Sequence, residues 1–114
     1  MADCIFCKLA NHEIEPDVVY ENDLVCAFRD AAPVAPVHVL CVPKAHVGGV
    51  NDLDVTDTAL LSALFEAAQT VVQKLGIAEE GYRLVINSGE RGGQSVGHLH
   101  LHVLGGRDMQ WPPG

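Results

Sequence analysis

The chain has 114 residues, of which 48% are hydrophobic and 19% charged. This composition is typical of a folded globular protein and excludes an intrinsically disordered one, and the length predicts a single domain over residues 1–114. Fifteen acidic residues against seven basic ones give a formal net charge of −8, which argues against a partner held through many phosphates, as DNA and RNA are. Neither a secretory signal pattern nor a window of ~18 apolar residues is present, so we expect a soluble cytoplasmic protein without membrane partners.

The first half of the chain predicts a short helix followed by strands. Residues 4–10 place Ile5, Phe6 and Leu9 on one helical face. The segment 30–36 contains two prolines and predicts a loop. Runs rich in β-branched and apolar residues predict three strands at residues 18–21, 24–29 and 38–43.

The second half predicts the longest helix and two more strands. Apolar residues recur at helical spacing over residues 56–75, with Asp54 or Thr56 to cap the start and Gly76 to end it. Strands are predicted at residues 82–87 and 98–104. Short connections favour antiparallel pairing, so the sequence predicts an α+β fold: a five-stranded antiparallel sheet with one long helix and a short N-terminal helix.

The most informative stretch reads HLHLHVL from residue 98. Side chains alternate between the two faces of a strand, so His98, His100 and His102 are expected to share one face while leucines face a core. Neighbours in that row stand roughly 6.5–7 Å apart, too far for all three to converge on one metal ion whose Zn–N bonds are ~2 Å. The simpler alternative is an edge strand that carries surface histidines.

A glycine-rich loop, GERGGQSVG, precedes the histidines at residues 89–97. Four glycines in nine residues let a backbone adopt positive φ and aim successive N–H groups at a phosphate. A flexible hairpin loop is the alternative. Because the loop leads directly into the histidine row, we favour a phosphate-binding loop beside a nucleophile.

These motifs resemble the histidine-triad family, whose signature is His-x-His-x-His followed by apolar residues and preceded by a Gly-Gln-Ser-type loop. The chain looks similar to the histidine-triad nucleotide-binding branch over nearly its whole length, in the segments CIFCKL, AFRDAAPVAPVHVLCVPKAH and GYRLVINSGERGGQSVGHLHLHVLGGRDMQWPPG. The terminal GGR-x-M-x-WPPG is similar to the phosphoramidase members.

The resemblance implies hydrolysis of purine nucleoside 5′-phosphoramidates, conjugates of AMP or GMP, through a nucleotidyl-histidine intermediate. It assigns His100 as the nucleophile, oriented by the backbone carbonyl of His98, with Ser95 and His102 as the groups that bring a proton to the leaving amine. General chemistry agrees, because neutral imidazole is nucleophilic near pH 7 and an amine leaves only when protonated. No cofactor is expected to be required for catalysis.

The resemblance also assigns the nucleotide-binding residues, several of which a buried core would equally explain. The set consists of Ile5, Phe6, Leu9, Phe28 and Ala31 for the base, Asp30 for the ribose, and Asn87, Gly93, Gln94, Ser95, Val96, His100 and His102 for the ribose and phosphate. Ala31 is smaller than the isoleucine of the family pattern.

Two alternatives stand for the pair Cys4 and Cys7. In zinc-bearing members of the wider family, such cysteines join histidines matching His46 and His98 in a structural Cys₂His₂ zinc site. Otherwise the pair is reduced and free of metal, since a lone CxxC is a weak signal. The remaining cysteines and histidines receive simpler predictions: Cys26 and Cys41 pack as small hydrophobic residues, His12 faces solvent, and His38 makes structural hydrogen bonds.

Two alternative functions remain open, and the resemblance also makes a prediction about the oligomeric state. A regulatory nucleotide-binding module with negligible turnover is the first rival, and a dinucleoside polyphosphate hydrolase or nucleotidyl transferase of the wider family is the second, opposed by the GGQS loop and the WPPG tail. The resemblance implies a homodimer formed through the long helix and residues 82–87. Trp111 in the tail fits that assembly, because a lone exposed indole is unfavourable.

Overall fold

The computed structural model describes residues 4–114 and confirms the predicted α+β fold. Within these residues, five antiparallel strands form one sheet in the order β1-β2-β3-β5-β4, with one long helix, one short N-terminal helix and a 3-10 turn at Val50–Asp52. The elements are α1 (Ile5–Ala10), β1 (Val18–Glu21), β2 (Val25–Arg29), β3 (Val37–Pro43), α2 (Thr58–Lys74), β4 (Tyr82–Val85) and β5 (Leu101–Gly105).

Local hydrogen bonds explain where the helices begin and end. The predicted cap of α2 was wrong: Asp57 caps the helix by accepting from the Leu60 amide at 3.1 Å, while Asp54 accepts from Thr56 one turn earlier. Gly76 follows the end of α2 with φ of +72°, as a C-terminal glycine should. Cys4 lies one residue outside α1 as its N-cap, and its sulfur accepts from the Cys7 amide.

Both faces of the sheet are apolar and each is covered by a helix. The larger core lies between the sheet and α2, where Leu64 and Val71 pack against Val39, Leu101 and Val103. A smaller core lies under α1 on the opposite face, and it consists of Ala10, Cys26, Phe28, Leu40 and Val42 with Phe6 and Leu9 packed against them. The helix α1 covers part of this second face of the sheet, which is also the face towards which the histidines of residues 98–102 point.

Within residues 4–114, no helix has the length and apolar character needed to cross a lipid bilayer.

Candidate functional site

The histidine segment has the predicted two faces but a shorter strand than predicted. Leu99, Leu101 and Val103 are buried in the core beneath α2. The strand β5 begins at Leu101, and the Leu99 amide donates to the carbonyl of Val47 at 2.7 Å instead of joining the sheet. His102 alone therefore lies in the strand, whereas His98 and His100 lie in the connection that leads into it.

His100 is nearly buried and its ring is oriented by the backbone. Its Nδ1–H donates to the carbonyl oxygen of His98 at 2.6 Å, and the residue is 4% exposed. The edge of the ring packs on Phe6, with the two ring centroids 4.9 Å apart. Since the proton of a neutral imidazole is held at Nδ1, the lone pair is left at Nε2. His100 thus offers an unprotonated nitrogen in a fixed orientation.

His102 is oriented by a second hydrogen-bonded chain. The Val34 amide donates to Nδ1 of His38 at 3.1 Å, so the proton of His38 is at Nε2, which donates to Nδ1 of His102 at 2.9 Å. A carboxylate oxygen of Asp30 lies 3.3 Å from the same Nε2 of His38. The proton of a neutral His102 is therefore at Nε2, a buried nitrogen without a partner among residues 4–114.

Burial favours the neutral form of the His102 and His38 rings. Burial, and to a smaller extent the neighbouring His100 and His38, lower the pKa of His102 to about 4, against the opposing effect of the Asp30 carboxylate. Burial also lowers the pKa of His38, although the nearby Asp30 carboxylate opposes that effect. His102 therefore presents a neutral N–H group, which can donate to a phosphate oxygen without adding a net positive charge.

A cavity of about 540 Å³ lies beside the histidines, a size typical of sites for small molecules. Phe6 belongs to its wall and its ring packs against that of His100, so the cavity lies close to the His100 ring. The structure brings to this cavity eight of the predicted nucleotide-binding residues: Ile5, Phe6, Leu9, Phe28, Asp30, Ala31, Ser95 and Val96.

The glycine-rich loop has the backbone conformation that its glycines predicted. Gly89 and Gly93 have φ of +71° and +80°, and a Cβ at Gly92 would collide with the carbonyl oxygen of Ser88. The side chain of Gln94 is engaged inside the loop, since it donates to the carbonyls of Gly48 and Val96 and accepts from the Gly89 amide. Gln94 therefore shapes the loop through its amide group.

Asn87 lies outside the cavity wall in this arrangement. It is half-buried and follows β4, two residues after Val85, which pairs with His102. The predicted strand 82–87 was two residues too long at this point, because β4 ends at Val85.

Four predicted metal ligands converge at the start of α1. The Nδ1 atom of His98 lies 3.3 Å from the sulfur of Cys4 and 3.4 Å from that of Cys7, and the Nδ1 atom of His46 lies 3.2 Å from the Cys7 sulfur. All four donor atoms lie within 4.8 Å of one another. Nε2 of His98 donates to the carbonyl of Pro43 at 2.8 Å, so the single proton of the neutral ring is at Nε2 and the lone pair of Nδ1 faces the two sulfurs.

The other cysteines and histidines lie away from this chemistry. Cys26 and Cys41 are fully buried, and burial raises the pKa of their thiols to about 11 and about 12. His12 is exposed, as predicted, and bonds to Glu15 and Glu21. The exposed tail residue Trp111 lies beyond the last strand.

Sequence reasoning missed five residues of the cavity wall. Leu40 could have been found, because it follows from the antiparallel pairing of β2 with β3 that sets it beside Phe28. Residues of the irregular segment before β1 gave no periodic signal. The missed residues are Glu15, Pro16, Asp17, Arg29 and Leu40.

The fold and the histidine segment define a histidine-triad protein, and comparison with known proteins agrees. Residues 11–109 match the HIT domain, so the chain belongs to the HIT domain family.

Similar proteins match over nearly the full length of both chains. The chain is 48% identical to an uncharacterised HIT-like protein of Synechococcus elongatus, over 98% of this chain and 97% of that one. It is 43% identical to the purine nucleoside phosphoramidase of Escherichia coli, over 94% of this chain and 90% of that one. A crystal structure of a HIT family hydrolase from Legionella pneumophila superposes with a TM-score of 0.93 at 48% identity, covering 98% of this chain and all of that chain.

Proposed function

We propose that this protein hydrolyses purine nucleoside 5′-phosphoramidates through a covalent intermediate on His100. The hydrogen bond of 2.6 Å from Nδ1 of His100 to the His98 carbonyl is the observation that carries the proposal, because it leaves an unprotonated Nε2 beside a nucleotide-sized cavity. The 43% identity to a protein named purine nucleoside phosphoramidase supports this substrate class.

The residues that line the cavity suit the base, the ribose and the phosphate of such a substrate. Apolar side chains of Ile5, Phe6, Leu9 and Phe28 would contact the base, and Asp30, which also lines the cavity, would accept from the ribose hydroxyls. The main-chain N–H groups of the loop around Ser95 would receive the phosphate oxygens, as positive-φ glycine segments do. Asn87, Gly93 and Gln94 would complete this half of the site.

The reaction would proceed in two displacements at phosphorus. In the first, the Nε2 lone pair of His100 attacks, a bond to phosphorus forms, and the P–N bond to the amine breaks as the amine takes up a proton. In the second, water attacks the same phosphorus and releases the nucleoside monophosphate and the histidine. The His98 carbonyl stabilises the positive charge that develops on the His100 ring, since that ring donates to it.

Ser95 and His102 are the groups we propose for proton delivery, as a relay in which each neutral group gives up a proton only as it receives one that comes from water. Ser95 lines the cavity, and its hydroxyl can donate to the amine nitrogen. His102 presents its Nε2–H because His38 holds the opposite ring nitrogen as an acceptor. His38 therefore acts on the reaction through His102, as a positioning residue.

The test is hydrolysis of adenosine 5′-phosphoramidate, followed by chromatography of the AMP released. We expect His100→Ala to abolish turnover and His12→Ala, a change in an exposed histidine outside the cavity, to retain it. Equal activity in both variants would remove His100 as the nucleophile. Binding of AMP without any turnover in the unmodified protein would favour the regulatory module instead.

We further propose that Cys4, Cys7, His46 and His98 hold a structural zinc ion. Standard Zn–S and Zn–N bond lengths in a tetrahedron place sulfur and nitrogen ligands about 3.6 Å apart, close to the 3.2–3.4 Å separations found. The bond from His98 Nε2 to the Pro43 carbonyl is the outer-shell contact that such ligands commonly make. The ion would attach α1 to the residue whose carbonyl orients His100.

Metal analysis of the purified protein tests this site. One zinc per chain is expected, with loss in Cys4→Ser and retention in His12→Ala as the control. Absence of zinc from protein prepared in zinc-containing medium would leave the reduced cysteine pair as the correct interpretation.

The unpaired edge of the sheet leads us to propose a homodimer. At the β1 edge, a register shift disrupts the strand and Lys74 donates to the Val19 carbonyl, so that edge is blocked. The opposite edge strand, β4, begins with Tyr82, which is 41% exposed, and Phe65 on α2 is 50% exposed. Gel filtration near twice the chain mass of 12.2 kDa is expected; elution as a monomer would contradict it.

A further inference from the structure

The chain that follows β5 runs back along the loop at residues 30–36. Gly106 packs closely on Pro36, since an added Cβ would lie 2.9 Å from the Cβ of that proline. At the next residue, Nε of Arg107 donates to the carbonyl of Val34 at 3.2 Å. The loop is therefore held from the C-terminal side at two points, one by packing and one by a hydrogen bond.

The guanidinium of Arg107 is oriented by a second bond to the backbone. Its Nη1 donates to the carbonyl of Asp108 at 3.1 Å, while Nε donates to Val34. The donors of a guanidinium form a rigid fork, so two bonds fix its direction. Val34, by contrast, is 61% exposed and lies outside the helices and strands. Arg107 thus restrains a backbone segment that the side chain of Val34 does not anchor in a core.

The amide of Val34 sets the proton positions of two histidines. A backbone amide can only donate, so Nδ1 of His38, which it meets at 3.1 Å, is unprotonated. The proton of His38 is then at Nε2 and is donated to Nδ1 of His102, whose own proton is left at Nε2. If Val34 moved away, both rings could take the opposite tautomer. A lone pair at Nε2 of His102 would then meet the phosphate oxygens, which repel it.

We propose that Arg107 is a positioning residue for the reaction, because it fixes Val34 and thereby keeps His38 and His102 in the tautomers that present an N–H group to the phosphate. The inference rests on the proposed phosphoramidase function and adds to it a residue outside the histidine triad. Arg107 is not among the residues that line the cavity, so its effect passes through one backbone segment and two rings. A catalytic histidine held in the wrong tautomer loses its function even when its position is unchanged.

Asp30 limits the size of the expected effect. One of its carboxylate oxygens lies 3.3 Å from Nε2 of His38 and favours a proton there, as Val34 does. The bond from Arg107 is also exposed to water, and such hydrogen bonds contribute modestly. Loss of Arg107 should therefore shift part of the population to the other tautomer and lower kcat roughly threefold to tenfold.

The first measurement is the tautomeric state of the rings, read from histidine ring nitrogen chemical shifts of the whole protein at neutral pH. In the unmodified protein, His38 and His102 should each show a protonated Nε2 and an unprotonated Nδ1. In Arg107→Met, which keeps a long side chain but no donor, the two nitrogen shifts of each ring should move towards each other, because the two tautomers exchange. This readout needs no substrate and no turnover.

The second measurement is steady-state hydrolysis of adenosine 5′-phosphoramidate. Arg107→Met should lower kcat roughly threefold to tenfold and leave KM within about twofold. Arg107→Lys, which keeps a charged donor, should recover part of the loss in both measurements. Arg83→Met is the matched control, since Arg83 also donates to a backbone carbonyl of the tail, that of Gln110, and not to one of the loop. It should keep both the tautomers and kcat.

Unchanged tautomers in Arg107→Met would overturn the inference, and so would an equal change in Arg83→Met. Shifted tautomers with the original kcat would also overturn it, because the reaction would then not depend on them. A rise in KM at constant kcat would place Arg107 in substrate binding instead. Tautomers that shift as expected in a protein without any hydrolysis would overturn the proposed function and leave the control of the two rings by Arg107 standing.

Discussion

The two faces of residues 98–103 differ in what their side chains do, although they alternate along a single stretch of chain. Leu99, Leu101 and Val103 are buried in the core under α2 and make only apolar contacts. His98 and His100 face α1, and a hydrogen bond to the backbone orients each ring. Nε2 of His98 donates to the Pro43 carbonyl, and Nδ1 of His100 donates to the His98 carbonyl.

The comparison shows how this small domain fixes the orientation of its histidine side chains. Apolar packing fixes the backbone from one side, and hydrogen bonds to that fixed backbone then fix the ring orientations on the other. Stability and chemistry are therefore expected to separate between neighbouring residues. Substitutions on the histidine face should change turnover, and substitutions on the leucine face should change the free energy of unfolding.

The largest expected effect is loss of activity in His100→Gln. Glutamine keeps a polar side chain in the same place but has no nucleophilic lone pair on nitrogen, so kcat/KM for a nucleoside phosphoramidate should fall roughly a thousandfold or more. The free energy of unfolding, from urea titration, should change by about 1 kcal/mol or less. A large loss of stability with residual activity would show that the two faces do not divide the roles in this way.

Leu101→Ala should have the opposite signature. Removing a fully buried leucine from the core under α2 is expected to lower the free energy of unfolding by roughly 2–5 kcal/mol. At a temperature where the variant remains folded, kcat/KM should stay within a few-fold of the original value. Leu104→Ala, on the same strand but only half-buried, is the control and should cost less. Equal costs for the two leucines would contradict the burial argument.

His38→Ala tests whether a residue outside the triad orients it. Without the donor that holds Nδ1 of His102, the His102 ring is free to turn, and kcat should fall roughly 10- to 100-fold while KM changes little. His38→Gln, whose amide can donate in a similar direction, should recover part of the loss. A rise in KM at constant kcat would instead place His38 in substrate binding.

The sequence was sufficient for the fold class and for the partition of the two faces, because both depend on local periodicity. Alternation in HLHLHVL separates histidines from leucines whatever the exact start of the strand. The start itself was predicted three residues early. It depends on the long-range bond from the Leu99 amide to Val47, which no pattern within the segment encodes.

The candidate site was predictable where the residues belong to motifs and not where it depends on pairing between distant strands. Phe6, Phe28 and the loop residue Ser95 were identified from the family resemblance, and the structure brings all three to one cavity. Asp17 and Arg29 were missed, since they come together only through the pairing of β1 with β2. The network from Val34 through His38 to His102 likewise joins two strands that are 64 residues apart in sequence.

The smallest expected effect concerns the pH dependence of stability, and it isolates the neutral ring of His102. The pKa of His102 in the folded protein, about 4, lies below the ordinary 6.5, so folding favours the neutral ring. The stability that the neutral ring contributes is complete above pH 6.5 and is lost as the pH falls towards 4. Urea unfolding at pH 7 and pH 5 should therefore show a larger drop in the original protein than in His102→Gln, by at most about 2 kcal/mol. The groups that face His102, namely His38, His100 and Asp30, are present in both proteins, so their own titration largely cancels in the difference. Identical pH dependence in the two proteins would mean that His102 is solvated and free to accept a proton, unlike the leucine face behind it.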